Sequence, residues 1–122
     1  MKRDMDLVRR ILFGLEVHDD NSDLRNFKIE GVEVNTLSGH VHMMAEAGLI
    51  DAHEQRNRAE SNWSPKRVTW RGHEFLDAIR NDTLWSKTKK VVLEKTGGLS
   101  LAAIEAYAKH ILKEILGIGT GQ

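Results

Sequence analysis

Apolar residues recur every three or four positions over several stretches of the chain and alternate with polar ones over shorter stretches. Met5, Val8, Ile11, Leu12 and Leu15 form one stripe, with Arg3, Arg9 and Arg10 off it, which predicts a helix from an Asp4 cap to about Val17. Gly14 weakens such a helix by about 1 kcal/mol relative to alanine, or marks a close crossing. The polar run HDDNSD predicts a loop, and the alternation around Phe27 and Ile29 predicts a short strand within Leu24 to Glu30. Val34, Leu37, Val41 and Met44 then form a second helical stripe that starts near Glu33 to Asn35. Gly48 supplies its left-handed stop, and Leu49 and Ile50 open a new element. Leu49 to Gln55 and Arg67 to Trp70 predict the strands of a hairpin. The segment RNRAESNWSPK between them, with the one proline of the chain, is too long for a tight turn.

After Gly72, the positions Phe75, Leu76 and Ile79 predict a helix. Asp82 or Thr83 caps another, with Leu84, Trp85, Thr88, Val91 and Val92 inward, Lys87, Lys89, Lys90 and Lys95 outward, and Gly97-Gly98 at its end. Ser100 caps a last helix to about Leu116. On it Leu101, Ile104, Ala108, Ile111 and Ile115 follow the spacing of a coiled-coil seam, which makes this helix the expected contact of a homodimer. The tail GIGTGQ has no apolar pattern and is expected to be flexible.

These elements predict an α+β fold, mainly α. A helix running through EAGLI into a basic hairpin is how the recognition helix and wing of a winged helix-turn-helix read. The expected domains are a winged-helix domain over 1–80, a helical extension packed on it over 81–116, and a tail over 117–122. One element departs from that pattern. The helix that precedes a recognition helix has only LRNFKIEGV to form from, so it is either a single turn or replaced by a strand.

On the winged-helix reading, Asn35, Thr36, Ser38, Gly39 and His42 offer short hydrogen-bonding side chains to phosphates or base edges of double-stranded DNA. Arg56, Arg58, Lys66, Arg67 and Arg71 would track the backbone from the wing, and Trp63 would sit at its tip as an aromatic able to insert or to meet a protein partner. Charge limits this reading. The chain has 18 basic and 18 acidic side chains, and no arginine or lysine lies between Lys28 and Arg56. Residues 1–34 carry 6 basic and 8 acidic groups, 35–50 none and 1, 51–80 6 and 5, and 81–122 6 and 4. The central helix therefore has no base-reading cation, and the hairpin must supply the attraction. The alternative is an adaptor that binds another protein.

Other classes are disfavoured. With no cysteine there is no disulfide and no thiolate chemistry. His40 and His42 diverge on a helix, and the other histidines lack ligand spacing, so no metal is expected; His40 and His73 read as structural donors. No nucleophile elbow, phosphate-binding loop or cofactor fingerprint occurs, which predicts a protein without catalysis. No apolar run approaches a membrane span, and MKRDMDLVRR lacks the apolar core of a signal peptide, so a cytoplasmic protein is expected.

The opening MKRDMDLVRRIL, the centre HVHMMAEAGLI and the block TWRGHEFLDAIRNDTLWSKTK together resemble a family of small bacterial and bacteriophage proteins catalogued as a domain of unknown function. The resemblance spans about residues 1–95 and implies a phage or prophage setting. The centre and hairpin are separately similar to winged-helix regulators of the MarR and ArsR kind, which implies transcriptional regulation. The block also has a plain physical reading. Trp70, Phe75, Leu76, Ile79 and Trp85 would anchor a packed corner, with Arg71, His73, Glu74, Asp77, Arg80, Asn81 and Asp82 as salt bridges and caps around it.

Overall fold

The computed structural model describes residues 1–19, 21–56 and 61–117. Among them are five helices and one antiparallel two-stranded sheet, in the order α1 (Met5–Glu16), α2 (Val34–Glu46), β1 (Ile50–Arg56), β2 (Ser61–Val68), α3 (Trp70–Ile79), α4 (Asp82–Thr96) and α5 (Leu101–Leu116). The fold is thus α+β and mainly helical. None of these helices is long and apolar enough to cross a membrane. Two compact units divide the chain, Met1–Glu74 and Phe75–Gln122, and the break between them falls inside α3. The tail expected over 117–122 lies outside the described residues beyond Gly117.

In the first unit, Asp4 caps α1 by accepting the backbone N–H groups of Asp6 and Leu7, at 2.9 and 3.2 Å. The stripe Met5, Val8, Ile11, Leu12 and Leu15 is buried, with Leu7 beside it; each such side chain contributes about 1.5–3 kcal/mol on leaving water. α2 buries Leu37, Val41 and Met44. Val34, expected on the same stripe, is instead 59% exposed because it begins the first turn, beyond the reach of the core. At the other end Gly48 takes φ +79°, and the Leu49 N–H returns to the Met44 carbonyl at 3.0 Å, so the chain reverses into β1 without strain.

The expected strand over Leu24 to Glu30 does not form. Phe27 and Ile29 both lean toward Gly14 of α1, where a Cβ would stand 3.0 Å from Phe27 Cζ and 3.5 Å from Ile29 Cδ1. The period of two therefore records two anchors on one helix and no sheet partner. Two turns precede α2 instead, closed by the Phe27 N–H on the Leu24 carbonyl and by the Val32 N–H on the Ile29 carbonyl, each at 3.1 Å.

The hairpin is longer than its polar sequence suggested. Strand β2 starts at Ser61 and ends at Val68, so most of the segment expected as a loop is paired: Gln55 with Asn62, Glu54 with Trp63, His53 with Ser64 and Ala52 with Pro65. A bulge between Asp51 and Ala52 leaves Lys66 as the extra residue, where a proline neighbour is tolerated. Trp70 opens α3 in place of ending a strand, and it is 81% exposed, so it is not the apolar anchor expected.

In the second unit, Phe75, Leu76, Ile79, Trp85, Val92, Ile104, Ala108 and Ile111 are buried, and α4 packs on α5. Asn81, one residue before the expected cap, accepts the Leu84 N–H at 2.9 Å. Ser100 caps α5 through the Ala103 N–H at 3.1 Å. The Arg80–Asp77 ion pair is exposed, not part of a buried corner.

Candidate nucleic-acid interface

Helix α2 and the hairpin meet through side chains that sequence reasoning assigned to solvent. Ser38, expected on the outer face, is buried, and its Oγ accepts the Trp63 N–H at 2.8 Å. His42 stacks on the Trp63 ring with centroids 4.1 Å apart and planes 4° apart, and its Nε2 lies 4.0 Å from Glu46. Trp63 is therefore a half-buried latch between β2 and α2, and not an aromatic at a hairpin tip. The polar face of α2 splits accordingly. Ser38 and part of His42 hold the hairpin, while Asn35, Gly39, Met43 and Glu46 line the outward side at helical spacing.

Helix α2 is tied to the chain start as well. His40 is fully buried; its Nδ1 lies 2.9 Å from the Thr36 carbonyl, and its Nε2 accepts the Asp4 N–H at 2.9 Å. A Cβ added to Gly39 would touch the Met1 thioether, so the start of the chain runs over α2 at Gly39 and brings Lys2 and Arg3 to that side. Nothing in the spacing of apolar residues marked this, because the contact bridges 36 positions through one histidine ring.

The first turn of α2 carries no side-chain cap. Glu33 occupies the cap position without a hydrogen bond from its side chain, and Asn35 is exposed. The uncapped N–H groups and the helix dipole favour an anion there. Arg56 lies at the far end of β1, 78% exposed, with Nε 3.4 Å from Glu54. Since Ile50 follows the C-terminal end of α2 and Glu54 pairs with Trp63 beside Ser38, β1 runs back along α2, and Arg56 lies toward the helix's N-terminal half.

The remaining cations are dispersed. Arg67 pairs with Asp51 at 2.7 Å at the hairpin base. Exposed Lys66 shares shallow clefts there with Asn21, Asp51 and Arg67, and with Asp23, Arg25, His53 and Ser64, so both signs of charge line them. Arg71 donates to the Ala47 carbonyl at 3.1 Å, at the C-terminal end of α2, about 18 Å along the helix from Asn35. Arg58 lies outside the described residues. Of the ten expected DNA contacts, exposed Asn35 and Arg56 lie toward the N-terminal half of α2, whereas Arg67 and Arg71 do not join them. His73, expected as a structural donor, is exposed. No group of three or more histidine or acidic side chains among the described residues could hold a metal ion. In the second unit, Ile104, Ala108 and Ile111 of the expected dimer seam are already buried within one chain and Leu101 is half-buried, leaving Ile115 exposed with Leu112 and Leu116.

Two carboxyls among the described residues of the first unit sit below the usual range. Glu54 is lowered chiefly by the Ser61 hydroxyl, and also by Arg56 and by the charge of His42. Asp23 is lowered from 3.8 to about 2 by the Arg25 side chain, whose guanidinium grips it at 2.7 Å, and by the Arg25 N–H. A depressed carboxyl adds stability that is present above its unfolded value near 3.8 and is lost as pH falls toward 2. The Asp23 carboxyl resonance is expected to titrate near 2 by NMR and to move up toward 3.8 in Arg25→Ala. A midpoint near 3.8 in the unmodified protein would show that the fork is not closed in solution.

The family model described as a hypothetical protein, DUF2513, matches residues 2–98 of this chain. An uncharacterized protein of Haemophilus influenzae (strain ATCC 51907 / DSM 11121 / KW20 / Rd) is 38% identical over 117 residues, which cover 95% of this chain and 99% of that protein. No solved structure matches.

Proposed function

We propose, for a chain that belongs to the DUF2513 family, the role of a winged-helix protein that binds double-stranded DNA and regulates transcription without catalysis. In this reading α2 is the recognition helix and β1–β2 the wing, and the phage or prophage setting follows the family resemblance. The observation that carries it is the fold-back of the hairpin along α2, latched by Ser38 and His42 on Trp63. It brings exposed Arg56 toward the uncapped first turn at Asn35, on the helix that Met1 and the basic Lys2-Arg3 pair cross at Gly39. Attraction then comes from phosphates, met by the hairpin end, the chain start and the helix N-terminus.

Fluorescence anisotropy on a labelled random-sequence duplex tests this. Binding at low salt should weaken linearly in a log–log plot, with a slope of about −0.9 per phosphate neutralised. Arg56→Ala should flatten that slope by about one unit. Absence of binding at low salt, or a slope indifferent to Arg56, rejects the reading.

A second reading, a protein-binding adaptor, is favoured by the outward face of α2, where Glu46 is the one charged side chain that is not a histidine, and by the exposed Trp70 ring. Large aromatic rings in solvent are frequent anchors of protein interfaces. Trp70→Ala should then abolish partner binding and leave duplex binding unchanged.

A further inference from the structure

The outer edge of β1 is open. The Trp63 N–H points out of the ladder to Ser38, so Glu54 and Trp63 form a non-hydrogen-bonded pair of the antiparallel sheet. By alternation Glu54 and Arg56 turn their N–H and C=O groups away from β2, and the sheet has no third strand among the described residues to receive them. The other edge is closed, because Ser38 takes the Trp63 N–H and Pro65 has none to offer. Charged side chains on an exposed edge normally prevent pairing. Here they select it. Glu54 and Arg56 are two apart on one strand face, 3.4 Å from each other, with opposite signs.

We propose that β1 is a homodimer edge. A second copy adds its own β1 antiparallel across a two-fold axis at Gln55, which joins the two hairpins into one four-stranded sheet. In that register Glu54 stands opposite the partner's Arg56 and Arg56 opposite the partner's Glu54, each pair exchanging two backbone hydrogen bonds. Every carboxylate then has a guanidinium on its own strand and another across the axis. A slip that centres the axis on Glu54 or on Arg56 sets like charges against each other, so charge fixes the register. The two Gln55 residues form the central pair, with Cα atoms about 4.5 Å apart, which lies within disulfide range.

The chain has no cysteine, so Gln55→Cys introduces one thiol per copy at the axis. Mild oxidation should link it into a disulfide dimer, whereas His53→Cys, about 14 Å from its mate along the paired strands, should stay unlinked. Light scattering on the concentrated unmodified protein should give about twice 13.8 kDa. Glu54→Arg or Arg56→Glu alone should return the protein to one copy, and the double reversal should restore the dimer, since opposite signs again face each other. A single-copy mass at several hundred micromolar, a dimer that survives both single reversals, or linking of His53→Cys as fast as Gln55→Cys overturns the proposal. These measurements use no DNA, so their failure leaves the duplex-binding reading untouched, and the failure of that reading leaves the dimer edge untouched.

Discussion

Replacing His40 by leucine is expected to lower the unfolding free energy by about 3 kcal/mol, although leucine is apolar and fits a buried site. The ring is fully buried and bonds on both sides, to the Thr36 carbonyl and to the Asp4 N–H, each at 2.9 Å. Because Nε2 accepts from a backbone N–H, the neutral tautomer with hydrogen on Nδ1 satisfies both partners. Leucine keeps the volume and removes the acceptor. The Asp4 N–H is then left without a partner, at about 1–3 kcal/mol for a buried donor. The loss also loosens the residue that caps α1, and an N-cap is worth about 1 kcal/mol of its own. Urea denaturation of the two proteins measures the difference. Pairing His40→Leu with Asp4→Ala should give less than the sum of the two single losses, because both act through the same cap. A loss below about 0.5 kcal/mol would mean that water replaces the ring at no cost, and the tie would not be structural.

The second large effect is expected at Gly72. A methyl group there would collide with the backbone carbonyl oxygen of Leu49 and stand 2.7 Å from Val68 Cγ1. That carbonyl holds the Thr69 N–H at 3.1 Å, and the Thr69 hydroxyl in turn accepts the Gly72 N–H at 3.1 Å. The Leu49 backbone cannot step aside as the end of a flexible side chain can, so Gly72→Ala should cost about 3 kcal/mol, the upper range of overpacking, and lower the melting temperature by about 10 °C. Gly39 provides the internal control. A methyl there meets only the flexible thioether end of Met1, and alanine in a helix gains up to about 1 kcal/mol over glycine. Gly39→Ala should therefore melt at or above the unmodified protein. If Gly72→Ala melts within about 2 °C of it, the packing of α3 on Leu49 is looser than described.

Which features were legible in the sequence follows from their range. The stripe of α1, the Asp4 and Ser100 caps and the Gly48 stop depend on residues within one or two turns of each other, and the chain carries them openly. Leu24 to Glu30 misled because two residues leaning on Gly14 produce the same alternation as a strand. The segment expected as a loop misled in the opposite way. Its polar residues are strand residues whose partners are polar as well: Trp63 beside Ser38 and His42, and Ser61 beside Glu54.

The candidate site was legible as a list of residues and not as a surface. Arg67 and Arg71 look like free cations in sequence, yet one meets Asp51 across the hairpin and the other reaches the end of α2. Basic Lys2 and Arg3 look like the edge of a first helix, yet the Met1 contact at Gly39 carries them to the second.

By itself the sequence determined the apolar stripes of the helices, the caps at Asp4 and Ser100, the turn at Gly48 and the lack of a lysine or arginine on α2, because local periodicity and composition decide those things. Only the tertiary structure decided which polar side chains stay free for a partner. Ser38 and Trp63 are 25 positions apart, and Asp4 and His40 are 36 apart. Contacts over such separations depend on how β2 registers against β1 and where α2 crosses α1, and no local pattern encodes either.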